Sequence, residues 1–353
     1  MTSTLDICQA YVVERYSPQR KAMWDAFLSA AKNATFLFRR DYMDYHSDRF
    51  ADHSLMIFHE NRLVALLPAN LSGDQQVVSH EGLTYGGLVV SRDATLCEVL
   101  ASFEAVLRSL HESGIPRLLY KRCPQFYNTL PDDEVAYALF ILEARLCRRD
   151  CALVVNLADR LPLSKRRKRE INKAVRAGVK FVRDESFAPF WERVLIPRLA
   201  SRYGVKPVHS LEEINLLASR FPDQIKQYSA YCNGEIVAGA TIYETPEVAH
   251  SQYIALSESG QEVGALDALF AWLMDECYHA KRFFSFGICN ENQGRRLNHG
   301  LLDWKEGFGG RSCAHDFYEV DTRNYLKLEA VLARRDHNAL EASPAPGRVP
   351  TPA

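Results

Sequence analysis

The sequence predicts an α/β protein made of one unit repeated twice, each unit a mixed β-sheet flanked by helices. Three features carry that expectation. The same order of apolar segments occurs in both halves, each half contains a two-residue hairpin signal, and each places one amphipathic helical segment between strand-like runs.

In the first half, the helix-like MWDAFLSAA (23–31) precedes SLMIFHENRLVALLPANL (54–71), whose two apolar segments meet at Glu60-Asn61. VVSHEGLTYGGLVV (77–90) reads as a further strand-like run. LCEVLASFEAVLRSLHESG (96–114) repeats apolar residues at spacings of three and four and stops at Gly114, which predicts a helix, and IPRLLYKRC (115–123) is the next short strand.

The second half keeps this order. A helix with KRRKREINKAVRAG comes first, then IKQYSAYCNGEIVAGATIYE (225–244), two strands around Asn233-Gly234. VAHSQYIALS (248–257) is a strand, LDALFAWLMDECYHAK (266–281) a helix and RFFSFGIC (282–289) a strand. Between the halves, YALFILEARLCRRD (137–150) reads as a closing helix and CALVVNL (151–157) as a strand. This sets an N-terminal unit at 1–150, on the acceptor side, and a C-terminal unit at 151–335. The tail EASPAPGRVPTPA (341–353) is Pro-rich without apolar periodicity and is expected to be disordered.

Composition narrows the class. Of 353 residues 47% are hydrophobic and 25% charged, with a net charge of -1, which excludes a broadly basic nucleic-acid binder. No stretch approaches the roughly 18 uncharged apolar residues of a spanning helix. MTSTLDICQAYVVERYSPQ lacks the basic flank and apolar core of a signal peptide, so a cytoplasmic location is expected. The nine cysteines are scattered without a CxxC, which reads as buried thiols and no metal.

A strand (248–257), a polar loop with glycines (Ser259 to Ala265), a helix (266–281), a strand (282–289) and a second helix ending in Gly307-Phe308 follow one another. In this order the second half resembles the acyl-CoA-binding core of the GNAT acyltransferase superfamily. LSKRRKREINKAVRAGVKF (163–181) before it and LLDWKEGFGG (301–310) closing it resemble more narrowly the FemAB-like branch of tandem GNAT domains. The resemblance covers roughly residues 25 to 320. MDYHSDRFADHSL and SHEGLTYGGLVV are most similar to bacterial N-acyltransferases that act on nucleotide-linked amino sugars.

The resemblance implies transfer of an acyl group from acyl-CoA to the amine of a nucleotide-linked amino sugar, for cell-surface polysaccharide. It implies backbone contacts from Ile254, Ala255 and Leu256 to the pantetheine arm, lying where strand 248–257 splays from strand 282–289. It places the diphosphate on Gly260, Gln261, Val263, Gly264 and Ala265 at a helix N-terminus, with Lys305 near a phosphate. SRDATLC, at the matching place in the first half, has no glycine, so one acyl-CoA site is expected.

His250 and Gln252 share one strand face, and His250, with an ordinary pKa near neutrality, is the first candidate for general base. Asn290 and Glu291 follow a strand and either meet the acceptor or cap the next helix; Asp303 stands where the family commonly holds an acid-donating Tyr. Tyr45, His46, Asp48, Arg49, Ser79, His80, Tyr85 and Gly86 lie in polar, Gly-rich segments suited to an acceptor pocket. The run Lys165 to Arg169, with Lys173, Arg176 and Lys180, meets phosphate or is a solvated helix face; no aromatic residues interleave with it, which disfavours RNA. Two other readings stay open: an aminoacyl-tRNA-dependent transferase of peptidoglycan bridges, although no long coiled coil is present, and a GNAT-fold protein that binds without catalysis.

Overall fold

The computed structural model describes residues 11–73 and 75–333; the Pro-rich tail and Cys8 lie outside the described residues. The first half runs β1 (Tyr11–Arg15), α1 (Lys21–Ala30), β2 (Ala51–Asp52), β3 (Leu55–His59), β4 (Arg62–Leu67), β5 (Asn70–Ser72), β6 (Gln76–Val78), β7 (Val89–Val90), α2 (Leu96–Glu112), β8 (Arg117–Lys121), α3 (Glu134–Ile141) and β9 (Arg145–Asn156). The second runs α4 (Lys165–Arg176), β10 (Lys180–Asp184), α5 (Ile196–Tyr203), α6 (Leu211–Arg220), β11 (Ile225–Cys232), β12 (Glu235–Glu244), β13 (Val248–Leu256), α7 (Ala265–Trp272) and β14 (Phe283–Ile288). It closes with β15 (Asn290–Glu291), β16 (Arg296–Leu297), α8 (His299–Glu306), β17 (Arg311–Asp321) and α9 (Tyr325–Leu332).

Both hairpin signals give hairpins. Glu60 and Asn61 take φ of 49° and 65°, and Asn233 and Gly234 take 52° and 82°, the paired left-handed conformations whose twist matches the flanking strands. Thr95 and Glu98 form a reciprocal capping box at the start of α2. The apolar face of α2 (Phe103, Val106, Leu110) packs with Leu118 and Val320, and that of α7 (Leu269, Phe270) with Phe284 and Phe286. A third core, containing Phe36, Tyr42, Tyr243 and Tyr253, joins the halves.

The two halves share one large sheet, while the first half's hairpin strands β3 and β4 belong to a separate one. Eleven strands follow in the order β10-β11-β12-β13-β14-β9-β17-β8-β6-β5-β2, beside a four-stranded sheet β1-β3-β4-β7. The order records a reciprocal exchange. β9, the last strand of the first half, pairs antiparallel with β14 of the second, whereas β17, the last of the second, pairs antiparallel with β8 of the first. β9 and β17 pair with each other from Arg311↔Val154 to Glu319↔Arg145. A boundary at residue 150 therefore passes through the middle of β9, opposite His315.

Three sequence expectations change. Residues 142–150 are not the end of a helix: α3 ends at Ile141, Glu143 turns the chain at φ 52°, and β9 begins at Arg145. Pairing with β17, from Glu319↔Arg145 onwards, outweighs the helical preference of the Leu- and Arg-rich run. The strand-like run 77–90 divides into β6 and β7. Between them the chain fills the gap where β6 parts from β8: Gly86 N–H donates to Lys121 O (3.0 Å) and Lys121 N–H to Ser79 Oγ (2.7 Å). The helix expected to 281 loses regular α geometry after Trp272 and continues as a π turn to Cys277. In the first half Pro68, which cannot donate to a ladder, separates β4 from β5, and the two strands join different sheets.

α4 lies across the start of α7. Arg167 of α4 ion-pairs with Asp267 in the first turn of α7, and both are buried. Gly264, at φ 71°, is the contact point, because a Cβ there would overlap the carbonyl oxygen of Glu170. Among the described residues no helix is long and apolar enough to cross a membrane. Gly264→Val is expected to lower stability by about 2 kcal/mol or more, through backbone strain and displacement of α4, measurable as a lower denaturant midpoint.

Candidate functional site

β13 and β14 pair in parallel only at Val248↔Phe283, Ala249↔Phe284 and His250↔Ser285. Gly287, at φ 69°, lies where the pairing of β14 with β9 shifts register, and beyond Ser285 β14 leaves β13. A cavity of about 600 Å³ opens at this splay. Because β9 runs beside β14 and β17 beside β9, both halves line it.

On the second-half wall stand His250, Gln252, Ile254, Ser285 and Lys305. His250 Nδ1 is 3.1 Å from Ser285 Oγ. Burial, with the charge of Lys305 adding to it, pushes the imidazole down to about 4, so it is neutral at neutral pH. Lys305 is 2% exposed and donates to Gly287 O (3.1 Å) and Ile288 O (2.6 Å). Burial lowers it to about 8, which leaves it mostly protonated at pH 7, and among the described residues it forms no ion pair. Lys305 faces the cavity with Leu301, four residues earlier on α8; Asp303, half a turn away, is exposed to solvent. Asp303 is therefore corrected from a candidate acid to a surface residue.

The opposite wall holds Tyr85, Lys121, Tyr127, Arg148, Asp150 and His315. Lys121 is 6% exposed; its ammonium donates to the carbonyls of His80 (2.9 Å), Glu81 (3.4 Å) and Leu83, and burial lowers it to about 8. Arg148 grips Asp150 through Nε (3.0 Å) and Nη2 (2.6 Å). Asn290 completes that cluster, donating to Asp150 Oδ1 (2.8 Å) and accepting from Cys151 N–H (2.6 Å). Asn290 thus fixes β9 from behind and is not among the cavity-lining residues. Its neighbour Glu291 is exposed and accepts from the side-chain amide of Asn298 (2.8 Å), which is itself the residue that caps α8.

The expected diphosphate cradle is filled by protein. Residues Glu258–Glu262 form one helical turn capped by Ser257, whose Oγ accepts from Gly260 N–H (3.0 Å). Gly264 and Ala265 are buried beneath α4, Gln261 is exposed, and Val263 packs at the edge of the α7 core. Ala255 and Leu256 sit in register with Gly239 and Ala238, and only Ile254 of the three reaches the cavity.

The expected acceptor residues separate likewise. Tyr85 and Gln252 line the cavity. Tyr45 stacks on His209 (5.7 Å) and Arg49 pairs with Glu213 of α6 (2.6 Å), bracing that segment elsewhere, with Asp48 in solvent. His46 and His80 stack on each other at 5.2 Å in the interior, and Ser79 and Gly86 belong to the plug between β6 and β8. In the basic run, Arg167 is buried against Asp267, while Lys165, Arg166, Lys168, Lys173 and Arg176 are exposed on the outer face of α4.

Lys121, Arg148, Asp150, Ser285 and His315 escaped the sequence reading. The available signal was the period of two in Arg148-x-Asp150-x-Ala152, which the helical reading of 137–150 concealed, and in His315-x-Phe317, for which no element was read.

No protein-family profile and no curated protein sequence matches the chain. Solved structures do. They share the overall fold of this chain at low sequence identity. The particular structures include FemX, at 9% identity and TM-score 0.62, covering 90% of this chain and 99% of that one. They also include L-PGS from Bacillus licheniformis (13%, 0.52, covering 91% and 99%) and the C-terminal domain of a putative lysylphosphatidylglycerol synthetase from Agrobacterium fabrum (13%, 0.53, covering 76% and 85%).

Burial holds His53, His209, His250 and His315 each down to about 4, against about 6.5 when unfolded. Between those values the unfolded chain binds more protons, so stability is lost as pH falls from 6.5 towards 4. Each histidine contributes up to about 1.4 kcal/mol per pH unit. Urea midpoints at pH 7, 6 and 5 should fall in that order, and His209→Gln should flatten the slope by one proton.

Proposed function

We propose that the cavity is the reaction centre of an acyltransferase that moves an acyl or aminoacyl group from an activated carboxyl carrier to an amine. The observation that carries this is the lining of the β13/β14 splay by His250 and by the buried Lys305, which has no counter-ion among the described residues. As the amine attacks, a C–N bond forms and the carbonyl becomes an oxyanion. Lys305, with two of its three N–H groups on Gly287 and Ile288, has the third to donate to that oxygen. His250, beside Ser285 Oγ and Gln252, would take the amine proton and return it to the leaving oxygen or sulfur as the carbonyl re-forms.

The covered diphosphate cradle favours a donor other than acyl-CoA. An aminoacyl ester of tRNA, the donor of the FemAB-like alternative, needs no seat at 260–265. The unpaired cations on the exposed face of α4 suit its phosphates, as does the likeness of the fold to FemX and to a lysylphosphatidylglycerol synthetase. The second reading, transfer from acyl-CoA to a nucleotide-linked amino sugar in the cytoplasm, is favoured by the splay itself, where an extended pantetheine arm would lie beside Ile254.

A donor panel separates them. Transfer from charged tRNA to an amine acceptor is expected; saturable thiol release from acyl-CoA that depends on a nucleotide-linked amino sugar would establish the second reading. Turnover with neither donor across an amine panel would leave a GNAT-fold binding protein. In the active assay His250→Ala and Lys305→Met should each lower kcat about 100-fold with little change in KM, whereas Asp303→Ala should stay within about twofold of wild type.

A further inference from the structure

We infer that Arg148 and His315, in the field of Lys121, form a subsite for an anionic oxygen group, carboxylate or phosphate, that the acceptor carries beside its amine. The inference rests on the acyltransferase reading, yet its evidence lies on the wall that the transfer chemistry leaves unused.

His315 and Asp150 face each other in register across β17 and β9, and Phe317 faces Arg148. Asp150 is 2% exposed and engaged by Nε and Nη2 of Arg148, which leaves Nη1 available while the guanidinium stacks 4.5 Å above the Phe317 ring. His315, its ring centroid 4.8 Å from that of Phe317, is 5% exposed, and its buried Nε2 has no hydrogen-bond partner among the described residues. An orphaned buried nitrogen lining a cavity costs stability unless something fills the position. Lys121 places its three donors on three carbonyls, so it supplies charge rather than a further bond. Among the lining groups Lys121, Arg148 and Lys305 face Asp150 alone, an excess of two positive charges; Lys121 and Lys305 are buried, whereas Arg148, paired with Asp150, is 35% exposed. One developing oxyanion at Lys305 accounts for one of them. The other has no partner until a substrate brings it.

Titration calorimetry of the full chain without any donor tests this, with inorganic phosphate, acetate and ethylamine as separate probes. Saturable binding of phosphate or of acetate is expected, and which of the two binds identifies the group; ethylamine should not bind. His315→Leu and Arg148→Lys should each weaken the anion at least tenfold. His315→Gln, which keeps a donor, should retain it, and His250→Ala should bind as wild type does. A rise in melting temperature with the anion, present in wild type and absent in His315→Leu, covers the case in which Arg148→Lys folds poorly. Saturation by neither anion, or equal binding by wild type and His315→Leu, overturns the subsite. Anion binding without transfer from either donor class would sink the acyltransferase reading and leave the subsite standing.

Discussion

The ladder between β9 and β17 holds the molecule together. Each strand belongs by sequence to one half and by hydrogen bonding to the other: β9 supplies the neighbour that β14 needs, and β17 the neighbour of β8. With both in place the sheet runs unbroken through the molecule, and residues distant in sequence, Arg148 and His315 on one side and His250 and Lys305 on the other, surround one space. A cavity lined from both halves is thus a product of backbone pairing before any side chain is considered.

Duplication would give two splays, and the chain keeps one. At β13/β14 the strands part after His250 and Ser285 and leave room. At β6/β8 the corresponding gap is taken by Ser79, Gly86 and the carbonyls that bind Lys121. Lys121 thereby does two things at once, closing the first splay with its hydrogen bonds and charging the wall of the second. Low dielectric makes such uncompensated charge expensive to bury, which is why its presence points to a ligand rather than to stability.

Much of the framework was legible because it is local. Asn233-Gly234, Glu60-Asn61 and the three-four spacing of α2 act within a few residues, and each produced its element. His250 and Gln252 share one strand face by alternation, and both line the cavity. What was illegible is non-local. The burial of Gly264 by Glu170, the filling of the β6/β8 gap and the strand identity of 145–150 depend on partners up to about 170 residues away, and no window of sequence contains them.

The exchanged strands also order events in time. During synthesis β8 and β9 leave the ribosome long before β17, so each waits with an unsatisfied edge until residues 311–321 have emerged. Neither half closes its sheet alone, and the contacts that do so span much of the chain, which makes folding slow and late. A nascent chain stalled before β17 would display the apolar edge of β8 as a template for other strands, so such a protein depends on being shielded until its last strand arrives.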